Sequence, residues 1–216
     1  SFFPTTVLMA EYPSHQAQNS LLRDSIYRLR ETDTPGQDLS RTKYNVGYTS
    51  YFSDKRLLDY PGFQTLSQFI LAQGERLANH QSVDLKSHII ELTRYWVNIN
   101  PPLSFHHVHV HGDALFSGVY YVSALKSSGD IVFKDPRPAA AISVPPLYQR
   151  NARNTDSVTI TPKPGQLLMF PGWLAHGVNQ NESNCDRLSI SYNLALRARH
   201  RSDHAVTNDE TTPTGT

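Results

Sequence analysis

The sequence predicts a mainly β domain, a jelly roll or barrel supported by helices, and this rests on three observations. Before residue 80, apolar residues recur at helical spacing in two segments. From His88 onward, short segments rich in β-branched and aromatic residues alternate with clusters of Pro, Gly, Asn and Ser. The length of 216 residues suits one such domain, because all-β barrels and sandwiches often reach ~200–250 residues undivided. We therefore expect a single domain over residues 1–200.

The first helix is predicted over residues 17–29, and the segment TDTPGQ at 32–37 is expected to end it. Its apolar positions are Leu21, Leu22, Ile26 and Leu29. A second helix is predicted over residues 61–79. Its apolar stripe consists of Phe63, Leu66, Phe69, Ile70, Leu71 and Leu77.

Seven later segments are predicted to be strands. They read HIIELTRYWVNIN, FHHVHVH, FSGVYYV, DIVFKD, SVTIT, QLLMF and DRLSISYNLAL. After them the chain loses its apolar periodicity, so residues 201–216 are expected to form a mobile tail. Helices followed by strands favour a layer of helices packed on a jelly roll.

Composition limits the classes of partner and the compartment. A formal net charge of +1 with 18% charged residues gives no electrostatic reason to expect nucleic acid or an anionic membrane as a partner. No apolar run approaches the ~18–20 residues of a membrane helix, and no N-terminal signal is expected. The single cysteine, Cys185, cannot form an internal disulfide, which favours a reducing interior. We expect a cytoplasmic protein.

Four histidines are concentrated in one predicted strand, at positions 106, 107, 109 and 111, and Asp113 follows them. Side chains alternate along a strand, so residues 107, 109, 111 and 113 should share one face and His106 should lie on the other. Two imidazoles at i and i+2 can bind one metal ion if a third ligand comes from elsewhere in the fold. The alternative is the polar surface of a half-exposed strand.

A second informative stretch, residues 164–196, contains His176 and Arg187. His176 is a candidate distal metal ligand or a histidine satisfied within the core. Arg187 opens a predicted strand and shares a face with Ser189 and Ser191. If its guanidinium points inward it needs an anionic partner, and a small carboxylate held by two hydrogen bonds is the natural one. The alternative is an arginine at a strand end with its head in solvent.

Seven stretches of the sequence carry a further signal: FFPTTV, NVGYTSYF, WVNINPP, HVHGDALFSGVYYV, FKDPRP, PGQLLMFPGWLAHGV and RLSISYN. Together they resemble the iron(II)- and 2-oxoglutarate-dependent oxygenases, in the branch described only as 2OG-Fe(II) oxygenases. SGVYYV and FPGWLAHGV are specific, whereas the N-terminal pieces are weak alone. The resemblance covers most of the chain. It implies a double-stranded β-helix that holds one ferrous ion and 2-oxoglutarate deep in the barrel.

Carried over position by position, the resemblance implies metal ligands, cosubstrate contacts and weaker sites. The implied metal ligands are His109, His111 and His176. The implied contacts of the 2-oxoglutarate C5-carboxylate are Arg187, Ser189 and Tyr121. Weaker candidates for supporting or substrate residues are Asn98, Asn100, Asp135 and Arg137, which could equally be hydrogen-bonding groups of turns and strand ends.

The proximal metal pair has two interpretations. Most of the wider superfamily uses His-x-Asp or His-x-Glu, and His111-Gly112-Asp113 provides a literal His-x-Asp on the same predicted face. The alignment favours His109 and His111, whereas coordination chemistry favours His111 with Asp113. His111 belongs to both pairs.

The function implied by the resemblance is a dioxygenase that uses Fe(II), 2-oxoglutarate and O2. It would hydroxylate an unidentified small-molecule or peptide substrate and release succinate and CO2. The alternative is a cupin-like metal-binding protein or metalloenzyme that does not use 2-oxoglutarate, which would not need Arg187 followed by Ser189. A zinc hydrolase would need a general base that no residue marks, and a non-catalytic jelly-roll module would leave the histidine cluster unexplained.

Overall fold

The computed structural model describes residues 3–43, 46–137, 139, 142, 145–151 and 153–199. Within them, two antiparallel sheets face each other and helices cover the outer side of the larger sheet. The predicted mainly β fold, a double-stranded β-helix supported by N-terminal helices, is confirmed. The predicted tail, residues 201–216, lies outside the described residues.

The helices lie at His15–Thr32 (α1), Thr34–Lys43 (α2) and Phe63–His80 (α3), with a short 3-10 helix at Leu57–Asp59. The segment TDTPGQ ends α1 as predicted, but it also begins α2, which the sequence analysis missed. Asp33 explains both events. Its backbone N–H donates to Leu29 O at the end of α1, while its Oδ1 accepts from Gly36 N at 3.1 Å and its carbonyl accepts from Gln37 N. An aspartate at this position caps the first turn of the new helix.

Ten strands are described. They lie at Leu8–Glu11 (β1), Tyr48–Thr49 (β2), His88–Asn100 (β3), His106–His109 (β4), Phe116–Ser123 (β5), Ile131–Lys134 (β6), Ser157–Ile160 (β7), Gln166–Pro171 (β8), His176–Val178 (β9) and Arg187–Ala198 (β10). The seven predicted strands are present, although the histidine-rich one ends at His109. The short strands β1, β2 and β9 were not predicted.

The strand order is β1-β8-β5-β10-β3-β2 in the larger sheet and β4-β9-β6-β7 in the smaller one. One apolar cluster lies between the helices and the larger sheet, and it includes Ile26, Phe63, Ile70, Ile190 and Leu194. A second cluster lies between the two sheets, and it includes Tyr121, Ile131, Phe133 and Phe170. None of the described helices has the length and apolar character needed to cross a membrane.

The central strand β10 separates apolar from polar side chains. It is paired with β3 on one side and β5 on the other. Leu188, Ile190 and Leu194 belong to the cluster beneath the helices, whereas Arg187 and Ser189 line a cavity between the sheets. Because side chains alternate along a strand, β10 contributes residues both to the core and to the cavity wall.

Candidate active site

A cavity of about 510 Å³ opens between the two sheets. Its wall combines polar residues of β10, β3 and β5 with histidines of the smaller sheet. Among the described residues, its only charged side chains other than histidine are those of Arg187 and Lys43, and no Asp or Glu contributes to the wall. Such a cavity suits an anionic ligand.

Three histidines meet at this cavity. One ligand-type nitrogen from each of His109, His111 and His176 lies within 4.8 Å of the others. His109 on β4 is paired with His176 on β9, and their ring centroids lie 4.5 Å apart. His111 follows β4, and its ring lies 5.1 Å from that of His109 and 5.3 Å from that of His176. Three imidazoles at this separation form a cluster that one metal ion can bind.

Backbone carbonyls orient two of these rings. Nδ1 of His109 lies 2.8 Å from His107 O, and Nδ1 of His176 lies 2.8 Å from Leu174 O. A carbonyl can only accept, so Nδ1 carries the proton and Nε2 keeps a free lone pair. Metal-binding histidines commonly have this second contact, which fixes both tautomer and ring orientation.

Burial favours the neutral form of two imidazoles in the cluster, those of His111 and His176. Desolvation is the main cause that lowers the pKa of His111 to about 4. It likewise lowers the pKa of His176 to about 4, against the opposing effect of the hydrogen bond to Leu174. Neutral imidazole is the form that binds a metal. Both side chains are therefore in the metal-binding form at neutral pH.

Asp113 does not join the cluster. Its side chain is 71% exposed and lies 3.9 Å from the Nε of Arg94. Strand β4 ends at His109, and Gly112 and Asp113 lie in a turn closed by the hydrogen bond from Ala114 N to His111 O. The alternation that would place Asp113 beside His111 on one strand face therefore does not extend this far. Of the two predicted pairs, the structure brings His109 and His111 together with His176. In the other pair, Asp113 lies outside this group.

Arg187 is a buried cation at the cavity wall, with only 1% of its surface exposed. This rules out the alternative of an arginine head in solvent. Its Nη1 donates to Ser128 O at 2.7 Å and to Gly129 O at 3.0 Å. Within the described part of the chain, no carboxylate forms an ion pair with it. Burial lowers its pKa, and a buried guanidinium without an anion is costly.

The predicted partners of Arg187 are arranged by strand register. Ser189 is paired with Tyr121 on β5 and with Asn98 on β3, and all three line the cavity. Burial raises the pKa of Tyr121 to about 12, although Arg187 opposes that effect. The phenol is therefore protonated at neutral pH and can donate a hydrogen bond. Asn98 donates to Ser191 Oγ at 3.1 Å and accepts from Thr49 Oγ1 at 2.9 Å.

Three of the weaker candidates, Asn100, Asp135 and Arg137, do not line the cavity. Asp135 accepts two hydrogen bonds from the Arg137 guanidinium, at 3.0 and 2.8 Å, and neither residue lines the wall. This ion pair lowers the pKa of Asp135. The pair belongs to a turn after β6, as the alternative interpretation of these residues held.

His106 was predicted to face away from the other histidines, and this is wrong. It lines the same cavity. The register of β4 against β9 shifts between His106 and His109, and the shift restores His106 to the inner face. The sequence carries no signal for this irregularity.

An aromatic wall at the cavity mouth was also missed. Tyr51 and Trp96 meet edge to face with centroids 4.9 Å apart, and the Trp96 ring lies 5.9 Å from His111. Phe105 lines the same cavity and is 42% exposed. Alternation along β3 could have indicated Trp96, because it shares a face with Asn98 and Asn100.

The paired sheets and the polar cavity between them define a double-stranded β-helix protein. The family model described as "Putative 2OG-Fe(II) oxygenase" matches residues 94–193. All the predicted site residues lie in this segment. The resemblance seen in the sequence is thereby confirmed: residues 94–193 are similar to the 2OG-Fe(II) oxygenase family.

Solved structures share the fold. An oxidoreductase of the 2OG-Fe(II) oxygenase family from Burkholderia pseudomallei has 15% identity and a TM-score of 0.57, with 88% of this chain and 84% of that chain covered. A prolyl-4-hydroxylase from Pseudomonas putida has 16% identity and a TM-score of 0.56, with 91% and 94% covered. HygX from Streptomyces hygroscopicus, solved with nickel and 2-oxoglutarate, has 15% identity and a TM-score of 0.58, with 88% and 83% covered. No curated protein matches the sequence.

Proposed function

We propose that the protein is an Fe(II)- and 2-oxoglutarate-dependent dioxygenase that hydroxylates its substrate. The reaction would combine a substrate C–H group, O2 and 2-oxoglutarate to give the C–OH product, succinate and CO2. One observation carries the proposal. A buried arginine without an anionic partner among the described residues faces the cavity that also contains a cluster of three histidines.

The donor set suits a ferrous ion. His109, His111 and His176 offer three nitrogen ligands from one side, which leaves the cavity side open for a chelating cosubstrate and O2. Imidazole also binds zinc, nickel and copper, so the geometry does not itself select iron. The family match supports iron, as does HygX, which was also solved with iron bound.

The part of the cavity wall around Arg187 suits the distal carboxylate of 2-oxoglutarate. The Arg187 guanidinium can donate to that carboxylate beyond the two carbonyls it already contacts. Ser189 and Tyr121 add hydroxyl donors from adjacent positions of the pairing between β10 and β5. Charge neutralisation and hydrogen bonding would together offset the cost of burying the cation.

The chain's own residues hold and shield the reacting centre. When bound, iron and 2-oxoglutarate supply the oxygen chemistry, and the protein supplies geometry. Phe170 packs edge to face on His176 with centroids 4.5 Å apart, and Phe133 lies 6.1 Å from the same imidazole. These rings would exclude water behind the cluster of three histidines and keep His176 in place.

The substrate is proposed to be a small molecule or a peptide that approaches over the aromatic wall of Tyr51, Trp96 and Phe105. A volume of about 510 Å³ can contain 2-oxoglutarate together with part of such a substrate. The low net charge of +1 gives no support for a nucleic-acid or membrane partner.

Anaerobic titration tests the function. Purified protein would be loaded with Fe(II) without oxygen and titrated with 2-oxoglutarate, while calorimetry and the metal-to-ligand absorption band are followed. We expect stoichiometric binding of both, with 2-oxoglutarate binding dependent on the metal. Metal binding without 2-oxoglutarate binding would contradict the proposal. It would favour the cupin-like alternative, in which Arg187 only ties β10 to the Ser128–Gly129 turn.

A further inference from the structure

The turn at Ser128 and Gly129 holds one end of the Arg187 guanidinium. It lies in the loop between β5 and β6. Nη1 of Arg187 donates to both carbonyls of the turn, to Ser128 O at 2.7 Å and to Gly129 O at 3.0 Å. Since Nη1 carries two N–H groups, these two carbonyls can accept both. What a ligand can contact is then decided by the other two nitrogens, Nε and Nη2.

Nε and Nη2 of Arg187 are the donors left for a ligand. Neither forms a hydrogen bond with a described residue. Neither is among the described side-chain atoms that are buried without a hydrogen-bond partner. The two nitrogens share one edge of the planar guanidinium, where their N–H groups form a fork. Because Arg187 lines the cavity wall, this edge is the part of its head that the cavity can reach.

The same edge of a guanidinium binds a carboxylate elsewhere in this protein. In the pair between Arg137 and Asp135, Nε donates to one carboxylate oxygen at 3.0 Å and Nη2 donates to the other at 2.8 Å. Two parallel hydrogen bonds of this kind give both affinity and a defined geometry. The described part of the cavity wall contains no Asp or Glu, so a carboxylate at this edge of Arg187 would come from a ligand.

Glycine at position 129 makes the close approach of Arg187 possible. Its φ of +97° lies in the left-handed region, which residues with a Cβ rarely adopt. A Cβ built at this position would lie 2.6 Å from Nη1 of Arg187 and would overlap Asn179 O, in the segment after β9. A side chain here would therefore move the guanidinium away from its two carbonyls or open the turn.

The turn is fixed by its own hydrogen bonds. Ser128 donates to Leu125 O twice, from its backbone N at 3.0 Å and from its Oγ at 2.8 Å. On the other side, Asp130 O accepts from Asn179 N at 2.8 Å. Ser128 is also buried, with only 1% of its surface exposed. The two carbonyls that hold Nη1 are thus anchored to the protein on both sides of the turn.

We infer that Gly129 is a positioning residue for Arg187, and that the Ser128–Gly129 turn directs the edge formed by Nε and Nη2 toward the distal carboxylate of 2-oxoglutarate. This rests on the proposed function. It specifies how the cosubstrate is held, by two parallel hydrogen bonds from one edge of the guanidinium. It also makes a loop outside β10 responsible for the geometry of that contact.

The test compares two ligands by calorimetry on metal-loaded protein under anaerobic conditions. 2-Oxoglutarate carries the distal carboxylate, whereas 2-oxobutanoate retains the 2-oxo acid and lacks it. For Gly129→Ala, we expect at least about tenfold weaker binding of 2-oxoglutarate, because a displaced guanidinium loses at least one hydrogen bond to a charged group. Binding of 2-oxobutanoate and metal content should not change.

A double-mutant cycle separates positioning from general damage to the site. In an Arg187→Met background, Gly129→Ala should cause no further loss of 2-oxoglutarate affinity, because the group that it displaces is absent. Equal losses in both backgrounds would show that residue 129 acts independently of Arg187, and this would overturn the inference. Unchanged 2-oxoglutarate affinity in Gly129→Ala, or an equal loss for both ligands, would overturn it as well and leave the proposed function intact.

The matched control is Gly62→Ala, which places a Cβ at another left-handed position, with φ +87°, at the start of α3 and outside the cavity wall. It should bind both ligands like the wild type, and a matching loss of 2-oxoglutarate affinity would contradict the inference. If Gly129→Ala does not fold, Ser128→Ala removes the Oγ contact with Leu125 O and provides the same comparison of ligands. Absence of 2-oxoglutarate binding in the wild type would instead contradict the proposed function.

Discussion

His109 lies directly opposite His176 in the antiparallel pairing of β4 with β9, and their rings are 4.5 Å apart. Backbone hydrogen bonds between the strands therefore fix the distance between these two imidazoles. His111 is positioned differently, since it follows the strand and its N–H donates to Gly172 O at 2.8 Å. The candidate metal site thus depends on one strand pair and one loop contact.

Removal of His109 should distinguish the two proximal ligand pairs. We expect His109→Ala to lose stoichiometric iron, because only two imidazoles of the cluster would remain to bind the ion. Asp113→Ala should retain iron, since that carboxylate is exposed and lies near Arg94. Metal analysis after anaerobic loading measures both, and the reverse result would restore the His111/Asp113 pair. His176→Ala and His111→Ala should also lose iron, whereas His106→Ala should retain it.

The loop that carries His111 should be sensitive to a methyl group at Gly172. A Cβ at this position would overlap the carbonyl oxygens of Ala114 and His111, so Gly172→Ala should displace His111 and weaken metal binding. The control is Gly112→Ala in the same loop, where an added Cβ meets nothing within 4 Å. Iron titration and thermal unfolding of both variants test this. Equal metal affinity in the two variants would show that the loop contact does not position His111.

Replacement of Arg187 should affect the cosubstrate and not the metal. Charge-assisted hydrogen bonds contribute about 1.5–3 kcal/mol, so Arg187→Met should weaken 2-oxoglutarate binding by about ten- to a hundredfold. Without ligand, the variant should unfold at the same temperature as the wild type or higher, because an unpaired buried charge is removed. Calorimetry and thermal unfolding with and without 2-oxoglutarate measure both effects. A variant that unfolds much earlier and binds 2-oxoglutarate normally would assign Arg187 a purely structural role.

The metal-free protein should lose stability as the pH falls through the range in which buried histidines resist protonation. Burial lowers the pKa of His111 and His176 from 6.5 to about 4. Between these values the unfolded chain binds more protons than the folded one, so the free energy of unfolding decreases as the pH falls. The full contribution is present above pH 6.5. Urea unfolding across this range should show the slope, and His176→Gln should reduce it. A slope identical to that of the wild type in this variant would contradict the assignment.

Strand alternation predicted the larger sheet well because its strands are long and regular. Arg187 and Ser189 were correctly placed on one face of β10, opposite Leu188 and Ile190, since twelve residues of β10 are paired with β3 with a single register shift. The same rule failed in the smaller sheet. There β4 has four residues and shifts register within them, so the face of His106 could not be derived from spacing alone.

Sequence signals were also insufficient for contacts between distant segments. The contact between Asp135 and Arg137 is local, and it agrees with the alternative interpretation of these residues as hydrogen-bonding groups of turns and strand ends. The contact of Arg94 with Asp113 depends on how the chain bends after β4, and no pattern in the sequence specifies that bend. Helix α2 was missed because Pro and Gly after a threonine were interpreted only as a stop, although proline is also favoured in the first turn of a helix.

The two-sided pairing of β10 has a consequence for how the sequence of this protein could diverge. A slip of one residue would exchange its two faces, so the core would lose Ile190 and Leu194 while the cavity lost Arg187. The register that buries the core residues of β10 therefore also places Arg187 and Ser189 at the cavity. We expect changes of substrate preference to arise from substitutions in the cavity wall around Tyr51 and Phe105. Substitutions that altered the register of β10 would disturb the core and the cavity together.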